Sequence, residues 1–581
     1  MSMTSKHFIN NPTDLVLSAL KAVKYTNPSL SVDEANKIVY YPSDSPNNVA
    51  LVSGGGAGHE PSFTSFVGEG MLRAAVSGTI FASPSVRQIN NCISRRVGAN
   101  AGVLLIVMNY TGDVLHFGLA TEKARASGRD VEVVVVGEDV GVGRAKSGKV
   151  GRRGMAGTVL VHKICGALAA TGASLKDTAA LAELVAKNLV TLGSSLEHVH
   201  IPGTAKMEGP AMLDATEIEM GMGIHNERGS MRVKGMEIGT LVQAMLRQLL
   251  DRRDKDRNYL DVRDGAEWVL MVNNLGGVSP LEMGGITAVV VEKLAEEYSI
   301  NPERIYSGTF MTSLNGLGFS ISLLRIIDTG LGKGKDMLSL LDASHETLGW
   351  TPSVRASTWA SPAPPASAPI DETEKFPTSH LIMDPNLFKH TLTQGLRALI
   401  AAEPFLTRYD TLVGDGDCGT GLKRGAQSLQ HFLDTGGVRA DPVDTIFRLA
   451  LLVEDSMDGT SGALVSIYLH ALVKALRDSP DSSEVPWGRA ALQALTGLGR
   501  YTAARPGDRT MMDALVPFLV ALGRGEDLKT AAKKAREGAE STRGMRPKLG
   551  RTVYIDRVGN VPDPGAIGVA VFAEGMAQAE A

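Results

Sequence analysis

The sequence predicts a multidomain protein in which an N-terminal α/β domain is followed by a mainly α-helical C-terminal one, and three observations carry that reading. Short runs rich in Val, Ile and Leu alternate with helical stretches over the first 350 residues, the pattern of strands layered with helices. Past residue 381 those β-branched runs thin out and apolar residues recur at helical spacing. Between the two lies Thr351-Pro-Ser-Val-Arg-Ala-Ser-Thr-Trp-Ala-Ser-Pro-Ala-Pro-Pro-Ala-Ser-Ala-Pro-Ile, too poor in large apolar side chains to build a core and biased toward extended backbone.

Taken in order, residues 49–52, 103–108, 131–136, 269–272 and 319–324 read as strands, because each is an uninterrupted apolar, largely β-branched run of strand length. Residues 351–380 read as a semi-rigid linker. Residues 387–402, 442–456, 464–477 and 489–501 read as helices, because their apolar positions fall on one face at a period of 3.6. The expected domains are therefore 1–350, with room for two α/β lobes, and 381–581. At 581 residues the chain exceeds what one core sustains, about 250–300 residues.

Composition excludes several function classes. With 43% hydrophobic residues, 21% charged residues and a net charge of −4, there is no basic field for nucleic acid. Cys92, Cys165 and Cys418 are its only cysteines; an odd, scattered set is no disulfide framework and fits a reducing compartment. The N-terminal segment lacks a signal-peptide pattern, and apolar runs such as 103–108 are too short to span a bilayer. The expectation is a cytoplasmic protein without a membrane or nucleic-acid partner.

Chemistry concentrates in a few polar breaks. Asp410-Thr-Leu-Val-Gly-Asp-Gly-Asp-Cys-Gly-Thr420 places Asp410, Asp415 and Asp417 within eight residues, an oxygen-rich set suited to Mg²⁺, which bridges carboxylates to nucleotide phosphates. Taken alone, such a segment also reads as an Asx-rich turn. Downstream, Gly459-Thr-Ser-Gly462, Arg505-Pro-Gly-Asp-Arg-Thr-Met-Met-Asp513 and Asp563-Pro-Gly565 interrupt helical periodicity, so four loops between helices suggest one loop-built site. Thr460 and Ser461 read equally as a helix cap, and Asp563-Pro564-Gly565 as a turn.

In the first domain, Val49-Ala-Leu-Val-Ser-Gly-Gly-Gly-Ala-Gly-His-Glu-Pro61 runs from a strand into a glycine-rich loop, a place where backbone amides converge on a ligand. It has neither the Lys-Ser/Thr ending of a P-loop nor the dinucleotide register, since His59 stands where the last glycine belongs. A second strand delivers Asp113 just past its end, where open α/β sheets bind ligands, although Asp113 alone reads as a helix cap. His225 stands among glycines in Glu217-Ile-Glu-Met-Gly-Met-Gly-Ile-His-Asn-Glu-Arg-Gly229; a lone histidine is more often structural than nucleophilic.

Read together and in order, Gly54-Gly-Gly-Ala-Gly-His-Glu-Pro61, Asn109-Tyr-Thr-Gly-Asp113, Gly221-Met-Gly-Ile-His225 and the four C-terminal breaks resemble the dihydroxyacetone kinases. Phe81-Ala-Ser-Pro-Ser85, Gly151-Arg-Arg-Gly-Met-Ala-Gly-Thr-Val-Leu-Val-His-Lys163, Asn273-Asn-Leu-Gly-Gly277 and Phe310-Met-Thr-Ser-Leu-Asn-Gly-Leu-Gly-Phe-Ser320 are similar to further family segments. The resemblance implies a helical barrel holding ATP through two Mg²⁺, with Asp410, Asp415 and Asp417 as metal ligands. It implies nucleotide contacts by Asp417, Cys418, Gly419, Thr420, Thr460, Ser461, Thr502, Thr510, Met511, Asp563, Pro564 and Gly565, with Met511 against adenine.

For the substrate, the resemblance implies that Nε2 of His225 adds to a carbonyl to form a hemiaminal, that Asp113 accepts the proton of a terminal hydroxyl, and that His59 polarises the bound oxygen. Gly56, Ala57 and Gly58 supply close backbone contacts. The implied reaction is ATP-dependent phosphorylation of dihydroxyacetone and also D-glyceraldehyde, by a homodimer with cross-chain active sites. The alternatives are Mn²⁺-dependent cleavage of FAD to a cyclic riboflavin phosphate and a non-catalytic triose sensor. Three positions depart from the family pattern: Asp458 before Gly459, Asn226 after His225, and Thr502 in place of a common glycine.

Overall fold

The computed structural model describes residues 7–9, 11–42, 47–98, 100–204, 213–263, 265–361, 376–414, 416–457, 459–480, 485–549 and 560–580. The chain separates into two compact units, Met1–Pro365 and Ala366–Ala581.

In the first unit, strands β1 (Ser31–Asp33), β2 (Ile38–Tyr40), β3 (Ala50–Ala57), β4 (Ala74–Ile80), β5 (Val103–Met108) and β6 (Val131–Val136) form a sheet in the order β1-β2-β4-β3-β5-β6. Its β4-β3-β5-β6 part is parallel. Strands β7 (Leu189–Ser195), β8 (Glu217–Met220), β9 (Met231–Lys234), β10 (Trp268–Asn274), β11 (Arg304–Gly308) and β12 (Gly318–Arg325) form a second sheet in the order β11-β10-β12-β7-β8-β9. Only its β10–β11 pair is parallel.

The unit's helices are α1 (Pro12–Thr26), α2 (Val86–Asn91), α3 (Thr111–Ala126), α4 (Arg144–Ser147), α5 (Thr158–Ala170), α6 (Leu175–Lys187), α7 (Ile238–Leu250), α8 (Pro280–Tyr298), α9 (Met337–Asp342) and α10 (Ala356–Ala360). Strand alternation sets the layering. On β5, Val103, Leu105 and Val107 pack with Ile89 and Phe117 of α2 and α3, while Leu104 and Ile106 join the core that α5 and α6 fill. On β10, Val269 and Met271 face that same core, and Leu270 and Val272 face α7 and α8. Helices α5 and α6 thus lie between the sheets. Strands covered on both faces read as continuous apolar runs, and each such side chain contributes about 1.5–3 kcal/mol on burial.

The second unit is helical: α11 (Pro385–Val413), α12 (Cys418–Asp434), α13 (Pro442–Ser456), α14 (Gly459–Arg477), α15 (Trp487–Leu498), α16 (Met512–Gly523), α17 (Leu528–Ser541) and α18 (Pro564–Ala577). Each packs against the next, and α18 returns to pack on α11. Asp384, Asp441, Asp527 and Asp563 cap four of these helices by accepting first-turn backbone N–H groups. By length and composition α14 is the one described helix able to cross a bilayer; here it packs between α13 and α15.

All five expected strands and all four expected helices form. The expected extended linker departs at both ends. Residues 356–360 make the short helix α10, where no proline intervenes and the Arg304 guanidinium lies 5.7 Å from the Trp359 ring centroid. Near residue 379 the chain is already tied to the helical unit, since Ser379 donates from its N–H and Oγ to Asp441 at 2.6 and 2.8 Å. The middle of the linker, 362–375, lies outside the described residues.

Candidate functional sites

The first site stands at the C-terminal ends of the parallel strands. Strands β3 and β5 are neighbours in the sheet but lead off in opposite directions, the arrangement that opens a ligand crevice in α/β sheets. Strand β3 ends in Gly56 and Ala57; Gly58 follows at φ +101°, and its N–H donates to Glu60 Oε2 at 2.8 Å. A Cβ on Gly58 would press on the Phe81 ring at 2.9 Å, so backbone angle and space both require glycine there. Next along the chain, His59 is only 2% exposed.

His225 comes from the other sheet, on the loop joining β8 to β9. Its Nε2 lies 3.0 Å from Nε2 of His59, and its Nδ1 lies 2.9 Å from Glu227 Oε1. The Glu227 carboxylate also accepts the His225 backbone N–H at 2.8 Å. Phe81, Tyr110 and His59 all meet the His225 ring edge-on, with centroids 4.7–5.1 Å away. Asn226, at φ +65°, bonds Val199 through both side-chain atoms at 2.9 Å. Asn is among the residues that tolerate that angle, and its amide adds an anchor for the loop.

Proton counting makes the pair informative. The Thr312 carbonyl can only accept, so the 2.8 Å contact requires a proton on His59 Nδ1. The Glu227 carboxylate likewise requires a proton on His225 Nδ1. With both satisfied, the two Nε2 atoms face each other as lone pairs unless one shared proton stands between them. Burial, then the nearby His225, pushes the His59 imidazole down to about 3. Burial raises the Glu227 carboxyl, but its bonds to His225 and the Arg153 charge outweigh that and hold it at about 2.

Asp113, in the first turn of α3, is 8% exposed and its Oδ1 has no hydrogen-bond partner. Burial raises its pKa, against Ser83, His225 and His116. His59, Asp113, His225 and the backbone of residues 56–58 thus lie in one region of the fold. Two clefts along the second sheet, of about 1270 and 400 Å³, include none of the three side chains in their walls. Glu227, Phe81, Tyr110 and the Thr312 carbonyl were not expected; two-residue proximity to His225 was the one signal for Glu227.

The second site collects helix N-termini. Asp417 and Cys418 open α12, Thr460 and Ser461 lie in the first turn of α14, Thr510 and Met511 precede α16, and Asp563 caps α18 with Pro564 and Gly565 in its first turn. Orphan N–H groups and the positive end of the helix dipole make such termini phosphate seats. The termini converge: Asp410, Asp563 and Ser461 all act on the Cys418 thiol, which burial pushes up to about 12. A Cβ on Gly565 would stand 3.4 Å from Met511 Cβ.

Three carboxylates brace these loops. Asp410 accepts the Cys418 N–H at 3.0 Å, Asp513 accepts those of Gly507 and Thr510 at 2.5 and 2.8 Å, and Asp563 accepts that of Ala566 at 2.8 Å. Burial, reinforced by Asp513 and Asp410, pushes the Asp563 carboxyl up to about 6 despite Arg509. A like-charge cluster of this kind fits a hard divalent cation bound with its phosphates. Among the described residues no three metal-binding side chains converge on one point; Asp415 and the departure at Asp458 lie outside the described residues. Gly419 and Thr420 follow in α12, while the hydrogen bonds of Thr502 are local, to Ala504 and Arg505.

Residues 21–349 match the Dak1 domain family and residues 412–578 the DAK2 domain family. The chain is 44% identical to a dihydroxyacetone kinase of Pichia angusta over 99% of both chains, and 37% identical to a triokinase/FMN cyclase of Homo sapiens over 98% of both. It is similar to the crystal structure of the dihydroxyacetone kinase from C. freundii in complex with AMP-PNP and Mg²⁺, at 31% identity and a TM-score of 0.63 over 99% of both chains.

Proposed function

The chain belongs to the dihydroxyacetone kinase family, and from that premise we propose that it phosphorylates dihydroxyacetone with ATP, and D-glyceraldehyde as a second substrate. The observation that carries this reading is the His59–His225–Glu227 line, with Nε2 contacts of 3.0 Å and Nδ1–carboxylate contacts of 2.9 Å, beside an unpartnered Asp113 oxygen.

As the substrate carbonyl enters, Nε2 of His225 forms the bond to carbon while the shared proton passes to the carbonyl oxygen, giving a neutral hydroxyl. The positive charge stays on the His225 ring, facing Glu227. This hemiaminal selects short ketones and aldehydes over glycerol, which has hydroxyls but no electrophilic carbon. His59 hydrogen-bonds the new hydroxyl, and the backbone of Gly56, Ala57 and Gly58 lines the bound triose. Asp113, whose burial brings it nearer working pH, accepts the terminal hydroxyl proton as that oxygen attacks the γ-phosphorus and the bond to the bridging oxygen breaks, releasing ADP.

The ring of helices α11 to α18 is read as a barrel that binds ATP, with Asp417, Cys418, Gly419, Thr420, Thr460, Ser461, Thr502, Thr510, Met511, Asp563, Pro564 and Gly565 as its contacts. Asp410, Asp415 and Asp417 would hold two Mg²⁺. When bound, Mg²⁺ supplies positive charge against the triphosphate oxygens. The substrate domain is assigned to 1–350, the linker to 351–380 and the nucleotide domain to 381–581. A cytoplasmic homodimer, one chain's helical domain serving the other's substrate domain, completes the reading. The human relative's name supports a second activity at the nucleotide site, FMN cyclisation from FAD, which needs no His225.

Coupled ADP release with ATP–Mg²⁺ tests the proposal. Turnover is expected with dihydroxyacetone, not with glycerol, and is expected to fall in His225→Ala and in Asp415→Ala. Absence of triose-dependent turnover in the folded protein would overturn it.

A further inference from the structure

The segment Gly151-Arg-Arg-Gly154 has no place in the chemistry above, yet it reaches both ends of the substrate site. Val150 and Arg152 accept from Asn109 Nδ2 at 2.7 Å, and Gly154 accepts from Tyr110 Oη at 3.0 Å; Tyr110 in turn lies edge-on to His225. Between these ties stands Arg153. Its Nε and Nη2 donate to Asp139 Oδ2 at 2.8 and 2.6 Å, and Nη2 also donates to the Gly221 carbonyl at 2.8 Å, at the root of the His225 loop. Asp139, fully buried after β6, is held in turn by the Gly141 N–H at 2.8 Å.

The remaining guanidinium nitrogen faces Glu227. The position a Cβ on Gly223 would take lies 2.2 Å from Glu227 Oε2 and 2.6 Å from Arg153 Nη1. Only a glycine leaves the two charged groups room to face each other there. The result is a line of alternating charge, Asp139, Arg153 and Glu227, that ends at the facing Nε2 atoms of His225 and His59.

We infer that Arg153 is the positioning residue for the nucleophile: anchored by Asp139, its charge across the Gly223 gap steadies the Glu227 carboxylate at Nδ1 of His225 and so sets how tightly the histidine pair keeps a shared proton. The inference rests on the kinase reading above for its catalytic meaning, but its physical content concerns the ligand-free protein. The other ionisable groups facing this line are His59, Tyr110, Asp113, Glu138 and, beside Asp139 and Glu138, Arg152. Arg153 is the arginine whose charge acts on Glu227.

The sign follows from Coulomb's law: removing a positive charge makes every neighbouring proton harder to lose. In Arg153→Gln, which keeps amide donors but no charge, both limbs of the pH profile of kcat/KM for dihydroxyacetone should move to higher pH by about one unit. A purely structural role would lower the profile without moving it. Arg153→Lys should restore the position of the profile even where its height drops, because charge returns without the forked geometry.

The deciding measurement is the pH titration of the ¹⁵N-labelled histidine ring nitrogens in ligand-free protein, with His225 assigned by its loss in His225→Asn. The pair's midpoint should rise by about one unit in Arg153→Gln and return in Arg153→Lys. A midpoint unchanged in folded Arg153→Gln, or a kinetic profile reduced in height alone, would overturn the inference. Should the wild type lack triose turnover, the kinase reading fails while the ring titration still decides on Arg153.

Discussion

The two sites solve opposite electrostatic problems. In the α/β unit, charges alternate along a partly buried line and each hydrogen-bonding atom of His59, His225 and Glu227 already has a protein partner. In the helical unit, Asp410 and Asp513 carry the same sign as Asp563 and raise its carboxyl, while the helix N-termini around them present N–H donors. Under the proposed function, the first site positions a nucleophile from the protein itself, and the second receives a ligand that brings both its own negative charge and a cation.

The largest expected effect breaks the first site alone. His225→Ala should lower kcat/KM for dihydroxyacetone by about a thousandfold, since both the covalent tether and the orientation it gives are lost, while nucleotide affinity measured by calorimetry stays unchanged. The mirror experiment is Asp410→Asn, which keeps an acceptor for the Cys418 N–H but removes a charge. It should weaken Mg²⁺–ATP binding by about 10–100-fold and leave triose binding intact. If either variant damages both activities equally in folded protein, the separation of the two sites is wrong.

A smaller effect concerns pH and stability. Burial pushes the Glu138 carboxyl up to about 8, against the bonds from Met155 and Thr158 and the charge of Arg152. Its folded-state pKa is raised, so between about 4.5 and 8 the folded protein holds more protons than the unfolded chain, and stability falls as pH rises through that window. Glu138→Gln can accept the same N–H groups and removes the titration. Its Tm should change less than the wild type's between pH 5 and 8, as followed by calorimetry; parallel slopes would contradict the assignment. The smallest effect is Asn226→Gly, which suits φ +65° but loses both bonds to Val199. It should cost about 1–2 kcal/mol and a few degrees in Tm.

Much of the fold was legible because burial writes itself into the sequence. Strands β5 and β10 are covered on both faces and so appear as unbroken apolar runs. Strands β1, β2, β8 and β9 are three or four residues long and only partly buried, leaving no run to see. Helix α17 is so rich in polar or small residues, as in Leu-Lys-Thr-Ala-Ala-Lys-Lys-Ala, that its buried face is alanine, and tertiary packing supplies what propensity patterns do not.

The site was legible wherever a motif held its residues together. His59, Asp113 and His225 were each ambiguous alone, and their convergence depends on two sheets that no local pattern connects. Glu227 was in plain view but unreadable as a partner, because only the loop's turn at Asn226 brings its carboxylate back to the ring. Arg153 lies 72 positions from His225 in the chain, and its role is defined by a gap at Gly223 that exists only in the fold. The Thr312 carbonyl, which fixes the His59 tautomer, has no side-chain signature at all.

The central claim is that the triose site is complete without nucleotide. The most direct test is ¹³C NMR of dihydroxyacetone labelled at its carbonyl carbon, mixed with excess protein in the absence of ATP and Mg²⁺. The ketone signal should give way to a tetrahedral carbon on the wild type and persist with His225→Ala. A ketone signal that persists with wild-type protein under saturating conditions, its triose otherwise bound, would contradict the account.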